Sequence, residues 1–288
     1  MRIIPDSELL INSDGSAFHL HITPDQLSDK IVMMGDPDRV TMTASFFDTI
    51  ECDVQSREFH TVTGTYKGKR ITALSHGIGT DNIDIVVTEL DALANIDFKT
   101  RTVKEEFKQL TMVRVGTSGG MQPHCPTGSY VVSEKSIGFD GLIHYYADSK
   151  NIREEDFEEA FQKHVKWSPF HCVPYVVSAD EELVDRIGHD MIRGVTISAT
   201  GFYGPQGRYV RLPLADPELN SRIESFRFNE YSITNYEMES SAIAGLSKLM
   251  GHKAMTVCTI IANRVALSSN TEYKGSMEDL IKTVLDRI

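Results

Sequence analysis

Basic charge, cysteine and long apolar runs are all scarce in this chain. Lysine and arginine number 29 against 41 acidic residues, a formal net charge of −12, with a pI near 5.3. A surface of that sign repels nucleic acid and anionic membranes, so neither is an expected partner. Any anionic ligand must then be held by a few placed arginines. The four cysteines, Cys52, Cys125, Cys172 and Cys258, are scattered without a C-x-x-C pair. That pattern excludes zinc and disulfide frameworks and suits reduced thiols in a cytoplasm. His124-Cys125 has no further ligands at metal-binding spacing, so no metal is expected. No segment reaches membrane-spanning length. Residues 1–30, with Asp6, Glu8, Asp14 and Asp25, do not read as a signal peptide. A soluble, cytoplasmic protein is the expectation.

The 288 residues are 41% hydrophobic, enough for one large α/β core or two smaller ones. Strand and helix patterns alternate throughout, with no repeat or low-complexity linker, which favours a single α/β domain around a large central sheet. Ile83, Val86, Val87, Leu90, Leu93 and Ala94 form one helical stripe, and Met277, Leu280, Ile281, Val284, Leu285 and Ile288 another. Asp81 with Asp84, and Ser276 with Asp279, are their expected caps. Thr49 to Thr61 and Thr65 to Ser75 read as two β segments, with Lys67-Gly68-Lys69 as a turn inside the second. Arg57-Glu58-Phe59-His60 reads as a surface hairpin. The alternation in Phe18-His19-Leu20-His21-Ile22 suits an extended arm, and the acidic run Arg153 to Glu159 suits a solvated helix face or a flap.

The chain is organised around Met112-Val-Arg-Val-Gly-Thr-Ser-Gly-Gly120. It reads as a short apolar strand that breaks into a turn over Gly116 to Gly120. Backbone N–H groups, close approach at glycine and the Thr117 and Ser118 hydroxyls would there receive an anion with a polar organic partner. Arg114 lies in the apolar part, where a charge is costly to bury unless paired. A second anion site is suggested by Gly35 and Arg39, where a strand runs into a helix with Asp36 as N-cap and Pro37 in its first turn. In Gly201-Phe-Tyr-Gly-Pro-Gln-Gly-Arg208, Gln206 accepts and donates while Arg208 only donates. That pair suits the edge of a planar heterocycle, with Phe202 on its face. Asn235-Tyr-Glu-Met-Glu-Ser-Ser241 follows a strand and opens a helix running to Met250. Its glutamates suit either dipole-favoured caps or acceptors for a ribose diol.

In chain order, Gly35-Asp-Pro-Asp-Arg39, Ser75-His-Gly-Ile-Gly79, Arg114-Val-Gly-Thr-Ser-Gly-Gly120, Phe202-Tyr-Gly-Pro-Gln-Gly-Arg208 and Asn235-Tyr-Glu-Met-Glu-Ser-Ser241 together resemble the nucleoside phosphorylase family, from about Phe18 to the last helix. Gly-Asp-Pro-x-Arg and Glu-Met-Glu mark the wider family, and the Phe-Tyr…Gln-x-Arg loop points to its uridine branch. The resemblance implies a single domain over residues 1–288, an α/β fold with a large central mixed β-sheet flanked by helices. Residues 1–29 would form an arm contributing to a neighbouring subunit. It implies a pentosyltransferase that reversibly phosphorolyses uridine to uracil and ribose 1-phosphate in pyrimidine salvage, with deoxyuridine as a second candidate substrate. Phosphate is then a co-substrate, no metal or organic cofactor is needed, and the assembly is a homo-oligomer, a dimer or a hexamer.

By the same resemblance, Gly35, Arg39, Arg114 and Thr117 hold phosphate, and Arg57 reaches the phosphate of a neighbouring subunit. His19 crosses the interface to the ribose 5′-hydroxyl. Met238 and Glu239 hold the ribose, Glu239 on its 2′ and 3′ hydroxyls, and Glu237 supports that turn. Gln206 and Arg208 read the uracil edge, with Phe202 on the ring beside Ser118 and Gly119. Arg114, Gln206, Arg208 and Glu239 are the expected catalytic set. In some relatives a monovalent cation sits near the positions of Glu58, Ile78 and Asn82. Asn82 replaces a hydroxyl residue there, and the ion is not expected. Purine-cleaving relatives carry an Asp after the late buried strand, where this chain has Ile261-Ala-Asn-Arg264, which favours a pyrimidine. A phosphorylase of purine nucleosides or thymidine, and a non-catalytic nucleoside-binding paralogue, are the alternatives.

Overall fold

The computed structural model describes residues 2–265, 268–269 and 272–288. Its first strands are β1 (Lys30–Met34), β2 (Thr49–Ser56), β3 (Phe59–Tyr66) and β4 (Lys69–Ser75), followed by the short pair β5 (Ile96–Asp97) and β6 (Thr102–Val103). Then come β7 (Thr111–Gly120), β8 (Tyr130–Gly138), β9 (Tyr175–Ser178), β10 (Ile192–Ser198), β11 (Arg227–Phe228), β12 (Tyr231–Glu237), β13 (Lys253–Asn263) and β14 (Ser268–Ser269). The helices are α1 (Pro37–Ala44), α2 (Thr80–Asn95), α3 (Glu155–Val165), α4 (Glu181–Gly188), α5 (Leu219–Ser225), α6 (Ser240–Leu249) and α7 (Lys274–Arg287).

Apart from the β5–β6 pair, the described strands form one mixed sheet in the order β11-β12-β10-β8-β13-β7-β1-β4-β3-β2, with β9 on β8 and β14 on β13. β1 pairs β4 and β7 in parallel, while β2, β3 and β4 form antiparallel hairpins. β12 also returns to β7, Asn235 opposite Gly120 and Tyr236 opposite Gly119. β12, β10, β8, β13 and β7 therefore close on themselves, and β1, β4, β3 and β2 extend as an open wing. Both faces are covered. Side chains alternate along β1, so Ile31 and Met33 pack with α2 and α6, whereas Val32 and Met34 pack with α1, α4 and α7. Burial on both faces explains why β1 is an uninterrupted apolar run. This is the single-domain mixed α/β sheet that the family resemblance implies.

Several local expectations give way to tertiary context. β7 does not break into a turn at Gly116; it continues to Gly120, paired with β13 from Thr111↔Lys253 to Gly120↔Asn263. Two of its three glycines answer a need for space: a Cβ on Gly116 would lie 2.6 Å from Arg114 Nη1, and one on Gly120 would lie 2.7 Å from the Cys125 carbonyl oxygen. Phe18 to Ile22 is a turn and not an extended arm, with His21 at φ 58°. Leu20 and Ile22 both enter the core because the Glu89 carboxylate of α2 accepts from the His19 and Leu20 backbone N–H groups. The expected pair of segments between Thr49 and Ser75 is three strands, since the chain reverses at Arg57-Glu58, with Arg57 at φ 55°. Phe59 is consequently buried.

The helix caps differ as well. Gly79 is the N-cap of α2 and offers no side-chain cap, and Asp84 instead accepts the Tyr146 hydroxyl. α7 begins after Tyr273, and Ser276 lies inside it, donating back to the Tyr273 carbonyl at 3.1 Å. The acidic run is not uniformly solvated. Phe157, Phe161 and Val165 of α3 are buried, and buried Glu158 accepts from Arg153 Nε at 3.0 Å and from the Val176 N–H at 2.8 Å.

Gly64 on β3 holds β2 at close range: a Cβ there would lie 2.1 Å from the Thr49 carbonyl oxygen and 2.8 Å from Phe47 Cδ2. Gly64→Ala is expected to destabilise the protein by about 1–3 kcal/mol through overpacking. Urea unfolding should show a lower midpoint at unchanged slope. A wild-type midpoint would mean that β2 is free to move away.

Candidate active site

β7 pairs β1 only as far as Arg114 and β12 only from Gly119. Between those points its edge opens on the space where the chain leaves β1, β4 and β12. The ends of parallel strands are where backbone groups and loops converge on a ligand. Here they bring together Gly35 after β1, His76 after β4, Arg114 to Ser118 on β7, and Glu237 to Glu239 at the end of β12.

Arg114 is the hub. Its side chain is 5% exposed and pairs through Nη1 with Glu237 Oε2 at 3.0 Å and through Nη2 with Glu239 Oε2. Nε donates to His76 Nε2 at 3.3 Å, and Nη1 also approaches Cys258 Sγ at 3.5 Å. Burial alone would weaken the proton on this guanidinium, but Glu239 and then Glu237 outweigh it and hold the pKa above its usual value. The requirement that a charge buried in this strand be paired is met by two carboxylates from one short turn.

Those two carboxylates are not equivalent. Glu237 accepts from the Glu239 N–H at 2.8 Å, the Ser240 N–H at 3.0 Å, the Ser240 hydroxyl at 2.7 Å and the Ser198 hydroxyl at 2.6 Å. It caps the start of α6 and locks the turn. Glu239 has the Gly79 N–H at 2.7 Å and Arg114, and so keeps lone pairs for a ligand. With one cation between two buried carboxylates, the less supported one carries the excess charge. Burial pushes Glu239 up from the usual 4.5 to about 6, with Arg114 opposing and Glu237 adding to the rise. Beside this pair, Ser118 Oγ accepts from Asn235 Nδ2 at 2.9 Å.

The residues expected to hold an anion lie toward α1. Asp36 caps that helix by accepting the Asp38 N–H at 2.9 Å. Arg39 lies under the Tyr273 ring, 5.7 Å from its centroid, with Nη2 3.4 Å from the hydroxyl. A Cβ on Gly35 would lie 3.1 Å from the Gly77 carbonyl oxygen, so the β1 and β4 ends touch. Thr117 pairs Thr259 on β13 and is half-buried, as is Met238. His19 and Arg57 sit apart, joined by the Phe18 ring: Arg57 is exposed at the β2–β3 turn, 5.7 Å from the Phe18 centroid, and His19 lies edge-on to Phe18. His19 Nδ1 also meets Glu89 Oε1 at 2.6 Å.

The opposite half is the loop after β10. Gln206 is buried, and Arg208 Nη1 donates to its Oε1 at 2.6 Å and to the Phe202 carbonyl. The Arg208 guanidinium stacks 3.7 Å from the Phe202 centroid. Arg264 also converges on Gln206, through its carbonyl and, at 3.3 Å, its Oε1. Arg208 is pulled down to about 10, first by burial and then by Arg264. Arg264 lies over the Tyr236 ring, 5.1 Å from the centroid. Sequence reasoning assigned no role to Arg264 or His76. The signal for Arg264 was a cation at the end of an apolar run, close to the one that marked Arg114, a charge within an apolar strand. Asn263, in the stretch where purine-cleaving relatives are expected to carry an acid, spends Nδ2 on the carbonyls of Gln122 and Cys125, at 3.0 and 2.8 Å. Beyond the loop lies a largely apolar cavity of about 780 Å³, bordered by Phe139, Trp167, Tyr203 and Leu212.

Among the described residues, no group of three His, Cys, Asp or Glu side chains is placed to hold a metal, and no helix is long and apolar enough to cross a membrane. The chain matches the Phosphorylase superfamily over residues 29–285 and belongs to it. Uridine phosphorylase of Thermococcus kodakarensis is 28% identical over 258 residues, 88% of this chain and 79% of that protein. Purine nucleoside phosphorylase DeoD-type 1 of Vibrio vulnificus is 27% identical over 277 residues, 94% and 96% of the two chains. The crystal structure of a Trypanosoma brucei nucleoside phosphorylase, described as showing uridine phosphorylase activity, superposes with a TM-score of 0.89 at 28% identity, covering 97% of this chain and 98% of that one.

Glu239 ties stability to pH with a definite sign. Its raised pKa means that the folded state holds the proton more tightly than the unfolded one. Its favourable contribution is complete below the usual 4.5 and is lost as pH rises through about 6. The stability of the wild type minus that of Glu239→Gln should therefore decline over this interval in urea titrations. A flat difference would show a carboxylate that ionises normally.

Proposed function

We propose that this protein is a uridine phosphorylase, converting uridine and phosphate reversibly to uracil and ribose 1-phosphate without a metal or organic cofactor. The observation that carries the reading is the convergence of Arg208 and Arg264 on Gln206, away from the carboxylates that neutralise Arg114. Such a cationic, hydrogen-bonding edge fits a base that leaves as a dione anion. Arg39, Arg114, Gly35 and Thr117 receive phosphate, and Glu239 accepts the ribose 2′ and 3′ hydroxyls, with Met238 beside the sugar and Glu237 fixing the turn. Phe202, Ser118 and Gly119 flank the base.

In the reaction, the C1′–N1 bond breaks with its electron pair going to uracil, and a phosphate oxygen bonds to C1′. Positive charge that builds on the ribose is offset by the phosphate and the Glu239 carboxylate. Negative charge that builds on uracil is met by Arg208 and Gln206, and the uracil anion then takes a proton from solvent. Holding two substrates in line supplies several kcal/mol, in order of magnitude, of the barrier reduction. The site is completed by a second copy of the chain, whose His19 and Arg57 reach the ribose 5′-hydroxyl and the phosphate. The exposed Phe18–Arg57 contact supports that role, since it groups both residues on one surface.

Purified protein should release uracil from uridine only when phosphate is present. Arg114→Ala and Gln206→Ala should each lower kcat/KM by about 10²-fold or more. Release without phosphate would mean a hydrolase, and cleavage of inosine but not uridine would overturn the base assignment. Binding without turnover would favour a non-catalytic paralogue. Subunit sharing makes a separate prediction. Arg114→Ala and Arg57→Ala proteins, each impaired alone, should recover up to about a quarter of wild-type activity when unfolded and refolded together as mixed dimers. No recovery would place Arg57 outside the neighbour's site.

A further inference from the structure

The turn between β4 and α2 supplies the Gly79 N–H to Glu239 but leaves His76 without a task. This side chain is fully buried. Its backbone N–H donates to the Met34 carbonyl at 2.8 Å, and its Nε2 accepts from Arg114 Nε at 3.3 Å. Burial, then Arg114, and more weakly Arg39 hold its pKa well below the usual value, outweighing the opposing pull of the nearby Gly77 and His76 backbone, so the ring is neutral. A neutral imidazole that accepts at Nε2 carries its hydrogen on Nδ1. Nδ1 is buried and has no hydrogen-bond partner. Such a donor is costly to leave unmet, and a bound ligand is one of the few ways to satisfy it.

The surroundings identify the ligand class. A Cβ on Gly35 would lie 3.8 Å from His76 Cε1, the ring carbon between the two nitrogens. Arg114 meets the adjacent ring nitrogen, Nε2, at 3.3 Å, and the charge of Arg39 also acts on the ring. The ring that carries the unspent N–H thus borders Gly35 and Arg114, two residues assigned to an oxyanion, within reach of the charge of a third, Arg39. We infer that His76 is a further phosphate-binding and positioning residue, its Nε2 fixing Arg114 and its Nδ1–H donating to a phosphate oxygen. A neutral donor adds a hydrogen bond without placing a further positive charge beside Arg39 and Arg114. The inference rests on the phosphorylase reading for the identity of the anion.

The test compares wild type with His76→Leu, His76→Asn and His76→Gln. Leu removes both polar functions, Asn places an amide near the Nδ1 position, and Gln places one near Nε2. KM for phosphate and for uridine is measured for each, together with the rise in Tm produced by inorganic phosphate alone. His76→Leu should raise phosphate KM by about tenfold to a hundredfold, with a much smaller change in uridine KM and a reduced phosphate-induced rise in Tm. His76→Asn should recover phosphate affinity better than His76→Gln. If His76→Leu does not fold, the Asn and Gln pair makes the same comparison. Equal losses for both substrates, His76→Gln matching wild type, or a wild type that phosphate does not stabilise would overturn the inference. Phosphate stabilisation that depends on His76 in a protein inactive on uridine would uphold the anion site and overturn the phosphorylase reading instead.

Discussion

The structure depends on a guanidinium buried between two carboxylates. Arg114 lies inside a strand covered on both faces, where an unpaired charge would cost several kcal/mol. Glu237 and Glu239 compensate it, and they can do so only because β12 bends back to pair β7 at Gly119 and Gly120. The closure of the sheet and the neutralisation of Arg114 are therefore one constraint. Gly116 belongs to it, since a side chain there would meet the guanidinium at 2.6 Å. Buried ion pairs seldom add much stability over an apolar packing of the same volume. The return here is geometric: a cation, a carboxylate and a glycine-lined strand edge are held at fixed positions before any ligand arrives.

Around that centre the site grades in charge and in hydrogen-bonding capacity. Toward α1, Arg39, Gly35 and His76 make a region of donors. In the middle, Glu239 keeps acceptor capacity because Glu237 has taken over the structural work of capping α6. Toward the loop after β10, Arg208 and Arg264 surround Gln206. A ligand with an anion at one end, a diol in its middle and a carbonyl-bearing ring at the other matches this order. The reacting bond would lie between the anionic and heterocyclic ends, where charge of both signs develops.

Most of what could be read locally was a matter of period and charge. The stripe from Ile83 to Ala94 and the one from Met277 to Ile288 are buried as their spacing requires, and Asp36 caps α1. Arg114 was marked as needing a partner, and Gln206 with Arg208 as a polar pair, because those features rest on single residues and their chemistry. Alternation misled at Phe18 to Ile22, where a carboxylate 70 residues away turned the chain. Glycine misled at Gly116 to Gly120, where Gly116 and Gly120 meet a steric need and no turn forms.

By itself, then, the sequence determined the alternating α/β character, the helix faces and the inventory of arginines, glutamates and glycines from which an anion and nucleoside site is built. These follow from side-chain periodicity and from the cost of burying charge, both of which act locally. Only the tertiary structure decided which of those residues meet. Arg114 finds Glu239 across 125 residues of chain, Arg264 finds Gln206 across 58, and His76 lies between Gly35 and Arg114 with one nitrogen unmet. Those meetings are set by strand order and register, which no local pattern contains.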